Sequence, residues 1–281
     1  MNAMPSISRQ EFQLFQAFIL EQSGISLDDD KTYLVESRLK RLLAEFECAT
    51  FGELFRKSSE DARGGLRSKI INAITTNETL WFRDQAPFTI LNEVFLPEMA
   101  RQIARGKPKV RIWSAACSTG QEPYSIAIGI HEFCLSHGGD GIRPSHFEIL
   151  ATDISSEALS LAREGAYDGL SMSRGMTDAV KIKYFRQNGR SWGIDANLKK
   201  LIEFRPFNLM DNFAPLGVFD AIFCRNVAIY FSQPVKTELF DKMYQCLRPG
   251  GMFLLGTSES LGYYHTRFKG REHKNHSYYQ A

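Results

Sequence analysis

The stretch VRIWSAACSTGQEPYSIA, residues 110–127, constrains the fold more than any other part of this chain. A β-rich run at 110–113 passes through a turn of small residues at 114–120. It then enters a segment in which Pro123 suits a helix's first turn, where its missing N–H costs nothing and its fixed φ is already helical. Strand, tight turn and helix in this order form a cofactor cradle in α/β proteins, with the ligand beyond the carboxyl ends of the strands. An ordinary βα connection, whose small residues merely ease packing, fits the same pattern.

The chain beyond the cradle alternates. A second β-rich run at 147–152 ends at Asp153, and Ser155 caps a helix over 155–163. Residues 201–207, 218–224 and 252–256 read as further strands. A helix over 235–247 precedes the last of them, with Arg248-Pro249-Gly250-Gly251 as its stop. Such alternation predicts an α/β fold, a largely parallel sheet with helices on both faces and therefore a Rossmann-like core. Residues 165–200 break the pattern and read as an insertion with short strands near 183–185 and 190–194.

Ahead of the cradle the pattern is helical. Ser8 and Glu11 form a capping box, and Phe12, Phe15, Phe18 and Ile19 recur at helical spacing. Acids at 28–30 precede a helix over 33–46 whose apolar face is Val35, Leu39, Leu42, Leu43 and Phe46. Arg38, Lys40 and Arg41 lie off that face, either as a solvated basic surface or as a docking surface for an acidic helix. Helices at 51–56 and 66–74 complete an all-α N-terminal domain, residues 1–74. Residues 75–84, TTNETLWFRD, fit no amphipathic period: Asn77 and Thr79 donate and accept hydrogen bonds, and Arg83 offers a planar fork suited to a carboxylate. A helix over 87–103 completes a linker and cofactor-closing segment, 75–106. The core takes up 107–281.

With 281 residues, 43% hydrophobic and 23% charged, the chain has the makeup of a soluble globular protein, and its net charge of +2 argues against general nucleic-acid binding. Its longest apolar runs are too short to span a bilayer and Met1 to Gln10 lacks a signal peptide's apolar core, so the expected location is the cytoplasm. Five cysteines without a CxxC suggest neither a disulfide framework nor a zinc site. Cys117 and Cys224 read as small packing residues. The six histidines, His265 among them, have no motif context. The cradle turn carries only the final glycine of a dinucleotide fingerprint, which weakens NAD. Asp153, placed to bind ribose hydroxyls, leaves S-adenosylmethionine open, although an acid at a strand end also caps the following helix.

Several motifs in series then carry a resemblance. TTNETLWFRD, ACSTGQEPYSIA, the acid of Ala151-Thr152-Asp153, Asn208-Leu209, FDAIFCRNVAIYF at 219–231, LRPGG and GTSESL resemble the chemotaxis receptor methyltransferases of the CheR family, in the same order and over nearly the whole chain. The resemblance implies a class I S-adenosylmethionine-dependent methyltransferase core with a small β insertion and an all-α N-terminal domain. It implies methyl transfer to glutamate side chains on the cytoplasmic helices of chemoreceptors, without metal. It further implies that Asn77, Thr79 and Arg83 close over the cofactor's methionine end and that Glu122 and Asp153 bind its amino group and ribose. Asn208, Leu209, Arg225 and Asn226 would line its pocket, and Tyr230 would face the methyl acceptor. Gln121 stands where many relatives have a second Glu, which leaves Glu122 as the better candidate of the pair.

Arg83 and Tyr230 are the expected catalytic residues, with Arg38, Lys40 and Arg41 as contacts for the acidic methylation helices. Tyr230 as a core aromatic and Arg225 as a strand-end fastener are the alternatives for those two. The short segment 186–198 leads to the expectation that no receptor tether peptide binds the insertion. A base-methylating enzyme would carry an Asn/Asp-Pro-Pro-Tyr segment where this chain has Arg225-Asn226-Val227-Ala228-Ile229-Tyr230. A non-catalytic S-adenosylmethionine-binding scaffold is the alternative from a different class.

Overall fold

The computed structural model describes residues 5–138, 141–262, 264 and 267–281; His265 and residues 1–4 lie outside them. Helices α1 (Arg9–Ser23), α2 (Thr32–Glu45), α3 (Phe51–Glu60) and α4 (Gly65–Ile74) come first. The capping box forms as expected: the Ser8 hydroxyl accepts from Glu11 N–H while Glu11 accepts from Ser8 N–H. Glu11 also accepts from the Gly52 N–H at 2.6 Å, which ties α1 to α3. Phe12, Phe15, Ile19, Val35, Leu39, Phe51, Leu54 and Ile70 form a core of their own. At the end of α1, Gly24 has φ 73°, a conformation that strains a residue with a side chain, and a Cβ there would have to displace the Met210 sulfur, 2.5 Å away, so glycine suits the corner that seats on the larger domain.

After an irregular stretch, α5 (Ala86–Ile90) runs through a π-helical turn at Leu91–Phe95 into α6 (Leu96–Ala104), where a single uninterrupted helix was expected. The cradle is built from β1 (Val110–Ala115) and α7 (Gln121–Ser136), followed by β2 (Phe147–Asp153) and α8 (Ser156–Glu164), which Ser155 caps through Ala158 N–H.

The insertion is a three-stranded antiparallel sheet, β3 (Ala166–Asp168), β5 (Ser191–Ile194) and β4 (Phe185–Asn188) in spatial order, with helices α9 (Gly169–Ser173) and α10 (Asp178–Tyr184) between β3 and β4. Lys183 and Tyr184, expected in a strand, therefore form the end of a helix, and extended structure starts at Phe185. Then come α11 (Ala196–Lys199), β6 (Ile202–Pro206), β7 (Phe219–Cys224), α12 (Gln233–Gln245), β8 (Leu247–Leu254), β9 (Lys269–His273) and β10 (His276–Gln280).

The main sheet has the order β6-β2-β1-β7-β8-β10-β9. It is parallel from β6 to β8, while β10 runs antiparallel to both of its neighbours. Strand residues alternate between two apolar layers: Ile112, Ile149 and Phe223 face Ile126 and Ile130 of α7, whereas Trp113 and Ile222 share a layer with Phe240 of α12. Two expectations fail at the C-terminal end. The helix stops at Gln245, and Arg248 to Gly251 belong to β8, where a register shift against β7 between Phe219 and Ala221 absorbs Pro249 and Gly250. The β9–β10 hairpin was not expected at all. Its turn is Lys274-Asn275 with φ of 49° and 63°, the left-handed pair of a tight hairpin turn, and Asn275 was the one local signal for it.

Candidate active site at the switch point of the sheet

Strand order reverses between β1 and β7, and a ligand crevice is expected beyond the carboxyl ends of the strands at such a point. A cavity of about 330 Å³ lies there. Its wall includes Asn77, Thr79, Arg83, Glu122, Asp153, Asn208, Leu209, Arg225, Asn226 and Tyr230, so one space brings together every residue expected to serve cofactor or chemistry.

The floor is the cradle turn. Ala116 (φ 58°) and Ser118 (φ 51°) both take the left-handed conformation. Cys117 N–H donates to the Thr152 carbonyl at 2.9 Å, and Ser118 N–H donates to Asp153 Oδ2 at 2.8 Å. Both readings of the small residues hold together, because a Cβ on Gly120 would meet Ala162 of α8 at 2.9 Å, so that glycine serves helix packing while the turn before it faces the cavity. Asp153 is 6% exposed; its Oδ1 accepts from Ser155 N–H at 2.8 Å. Burial pushes its carboxyl above the usual aspartate range, with the backbone N–H groups pulling the other way. Burial likewise pushes the Cys117 and Cys224 thiols up, which fits packing residues.

Glu122, in the first turn of α7, has both oxygens engaged: Oε1 accepts from Ser114 Oγ at 2.7 Å and Oε2 from Arg225 Nη1 at 2.8 Å. Arg225 has a side chain only 1% exposed, and its Nη2 donates to the Arg83 carbonyl at 2.6 Å and to Asp84 Oδ2 at 2.9 Å. Asn226 (φ 56°) follows, its N–H held by Glu259 Oε2 at 2.6 Å; the same oxygen accepts from Gly256 N–H. The GTSESL segment thus braces the pocket from behind through Glu259, which had been given no role. Asn208 borders the cavity, but its amide is used locally, donating to the Gln22 carbonyl at 2.7 Å and accepting from Met210 N–H at 3.0 Å.

Residues 75–85 form the opposite wall and contain neither helix nor strand. Long-range ties hold them. Ser118 Oγ donates to the Asn77 carbonyl at 2.8 Å, Phe82 N–H to Ser125 Oγ at 3.1 Å, and Trp81 N–H to the Arg174 carbonyl at 3.1 Å. Trp81 is buried edge-on against Tyr167 and Phe185 of the insertion, ring centroids 4.8 and 5.3 Å away. Its neighbour Gly175 leaves no room for a Cβ, which would fall 2.2 Å from the Trp81 carbonyl oxygen. Arg83 donates to the Glu78 carbonyl at 3.2 Å.

The helical domain closes the top through Ile25, Ser26, Asp28 and Lys31; Asp28 was expected only as one of the acids ahead of α2, and none of the four was expected at the cavity. Ser26 N–H donates to the Tyr230 carbonyl at 2.9 Å, and Ile25 bridges to Phe231.

The basic trio of α2 separates. Arg38 turns inward, donating to the carbonyls of Ile74 and Thr75 and to the Thr76 hydroxyl, and it lines the cavity. Its expected place on a docking surface is therefore revised, because Ile74 and Thr75 leave carbonyls free at the end of α4 and a guanidinium satisfies them. Lys40 pairs with Glu36 at 2.6 Å. Arg41 is exposed, and with Arg38, Lys69, Glu45 and Glu157 it borders a smaller cleft, so Arg38 stands between that cleft and the main cavity. Among the described residues no cluster of His, Cys, Asp and Glu could hold a metal ion, and no helix is long and apolar enough to cross a membrane.

Comparison with known proteins agrees with this geometry. The family description "CheR methyltransferase, SAM binding domain" matches residues 77–276, and "CheR methyltransferase, all-alpha domain" matches residues 10–75. The chain is 43% identical over 257 residues to chemotaxis protein methyltransferase 1 of Pseudomonas aeruginosa, a match covering 91% of this chain and 92% of that protein. It is 46% identical over 257 residues to the chemotaxis protein methyltransferase of Vibrio parahaemolyticus, covering 91% of each. The chain therefore belongs to the CheR family: it is an S-adenosylmethionine-dependent chemotaxis methyltransferase, a protein-glutamate O-methyltransferase.

Proposed function

We propose that the switch-point cavity holds S-adenosylmethionine and that Arg83 and Tyr230 present a glutamate carboxylate from a chemoreceptor cytoplasmic helix to it. The observation that carries this reading is the convergence of the expected residues on one cavity, although they come from segments as far apart in sequence as Asn77 and Tyr230. The donor set fits the cofactor. Asp153 and Glu122 supply carboxylates for a ribose diol and an ammonium, and Asn77, Thr79, Asn208, Leu209, Arg225 and Asn226 line the remaining space. When bound, S-adenosylmethionine supplies a methyl group on a sulfonium, ready for transfer to a nucleophile.

The chain needs no general base. Glutamate's ordinary pKa is about 4.3, so the acceptor is already an anion at neutral pH. No histidine is among the described residues lining the cavity. The work left to the protein is orientation and exclusion of water, which can be worth several kcal/mol. Arg83 has one backbone acceptor and a guanidinium otherwise open to the cavity, which supports orientation of a carboxylate by its fork. Too tight a pair would stabilise the ground state and slow attack. The chemical step is accordingly expected to be nearly flat from about pH 6.5 to 8.5; a steep single-proton dependence there contradicts it.

The division of labour follows from the same reading. Residues 1–74 dock the receptor helix, with Arg41 and Lys40 as its charged contacts, residues 75–106 close over the cofactor, and residues 107–281 carry the donor. The protein works in the cytoplasm and binds no nucleic acid. A two-residue turn, Gly189-Arg190, joins β4 and β5, which supports action without a receptor tether peptide. Micromolar binding of such a peptide by calorimetry overturns that part. No observation favours a non-catalytic scaffold. The deciding experiment is incubation with methyl-labelled S-adenosylmethionine and receptor cytoplasmic domains: label should be released by mild alkali as expected of an ester, and label that survives alkali rules out carboxylate methylation.

A further inference from the structure

Residues 82–85 make a turn in which Phe82 (φ 48°), Asp84 (φ 69°) and Gln85 (φ 44°) all adopt the left-handed conformation that side-chain-bearing residues rarely take. Such a turn persists only where its surroundings hold it. Ser125 Oγ holds its start by accepting from Phe82 N–H. Arg225 holds its middle, since one nitrogen, Nη2, grips both the Arg83 carbonyl (2.6 Å) and the Asp84 carboxylate (2.9 Å).

The guanidinium of Arg225 is almost wholly buried, and its other terminal nitrogen is committed to Glu122. Its Nε has no partner among the described residues. Asp84 and Glu122 are the two anions that compensate this buried cation, and removing either would leave the charge half-paired. Arg83, between Phe82 and Asp84, has among the described residues only the Glu78 carbonyl as a side-chain partner. Apart from that one contact, its direction is set by the backbone of the turn.

We propose that Asp84, which does not line the cavity, is a positioning residue: by clamping Arg225 it fixes the 82–85 turn and so aims Arg83 at the substrate carboxylate. Arg225 is in consequence a fastener joining three segments, the irregular wall, the first turn of α7 and the end of β7, rather than primarily a cofactor ligand. The inference rests on the catalytic role proposed for Arg83.

The test is a double-mutant cycle of Asp84→Asn and Arg83→Ala, with kcat, KM for a receptor fragment, S-adenosylhomocysteine affinity by calorimetry, and melting temperature measured for each enzyme. D84N should lower kcat on the order of tenfold, change cofactor affinity less than about threefold, and add nothing to R83A in the double variant. Normal kcat in D84N, losses that multiply in the double variant, or a loss of cofactor affinity equal to the loss of kcat overturns the proposal. If R83A slows the reaction and D84N does not, only the Asp84 inference falls; if R83A is itself normal, the reading of Arg83 falls and takes this one with it. Should D84N not fold, Asp84→Glu carries the test, with a smaller loss of kcat that vanishes in the R83A background. A loss that persists there overturns it.

Discussion

On the cradle side of the cavity, Asp153 ends β2, Glu122 lies in the first turn of α7, and Ser118 lies in the tight turn that directly joins β1 to α7, so regular structure sets or closely brackets the direction of each group. On the opposite side, residues 75–85 have no regular structure, and besides a few short bonds of their own their long-range ties come from elsewhere: Arg38 from α2, Ser118 and Ser125 from the cradle, Arg174 from the insertion and Arg225 from the end of β7. The first wall is a fixed socket. The second is a strap whose shape depends on several distant parts being folded at once, which suits the role proposed for it of admitting a cofactor and presenting Arg83.

The contrast can be broken at the socket. Asp153→Ala removes an acceptor and strands two backbone donors, Ser118 N–H and Ser155 N–H. It should weaken S-adenosylhomocysteine binding roughly tenfold to hundredfold in calorimetry, the equivalent of about 1.5–3 kcal/mol. Equal affinity would mean that the socket does not hold the cofactor through this group. Arg83→Ala on the strap should instead cut kcat on the order of tenfold while leaving that affinity within a few-fold, and Tyr230→Phe should do the same more weakly. Unchanged turnover in both removes them from the reaction.

A smaller effect sharpens the role of the helical domain. Arg38→Ala releases the start of the strap, so cofactor affinity should fall a few-fold. Arg41→Glu should leave cofactor binding alone, raise KM for the receptor and alter its salt dependence. Matching behaviour in the two variants would return Arg38 to the docking surface beside Arg41, with which it shares the smaller cleft. Smallest is Glu11→Gln, remote from both walls. Burial alone would raise the Glu11 carboxyl, but hydrogen bonds from the Ser8 N–H and hydroxyl and from the Gly52 N–H hold it below the usual glutamate range. A depressed folded pKa contributes stability above the unfolded value, and that stability is lost as pH falls through the folded value. Denaturation should show the variant less stable by about 1 kcal/mol or less at pH 7, with the gap closing as the solution is acidified below the ordinary glutamate value.

The difference between the walls also explains what could be read in advance. The socket is local: β1, its turn and α7 are contiguous, Asp153 ends the next strand, and the spacing of apolar residues predicted these elements nearly to their ends. The strap's chemistry was visible as an aperiodic run of polar and aromatic residues, yet its anchors were not. Arg225 and Asp84 are 141 residues apart, Trp81 is buried by Tyr167 and Phe185, and nothing near Arg38 in sequence indicates that it caps the end of α4. The β9–β10 hairpin escaped because its strands are short and lack an apolar alternation, with β9 at the sheet's edge and exposed along most of its length. Residues 248–251 misled because Pro-Gly-Gly ordinarily ends an element, whereas here an irregularity in β8 accommodates it.

By itself, the sequence determined the helical domain with its capping box, the alternating core, the cradle and the set of residues that meet in the cavity, because those depend on periodicity, local turn chemistry and motif order. Only the tertiary structure decided which of these residues face the cavity with a free group and which are occupied in holding it. Arg225, Glu122 and Asn208 are largely spent on protein partners, Arg38 is turned inward, and Asp84 emerges as the partner of a buried charge. The physical reason is that a buried ion must find its counter-charge wherever the fold brings one, and chain separation says nothing about where that will be.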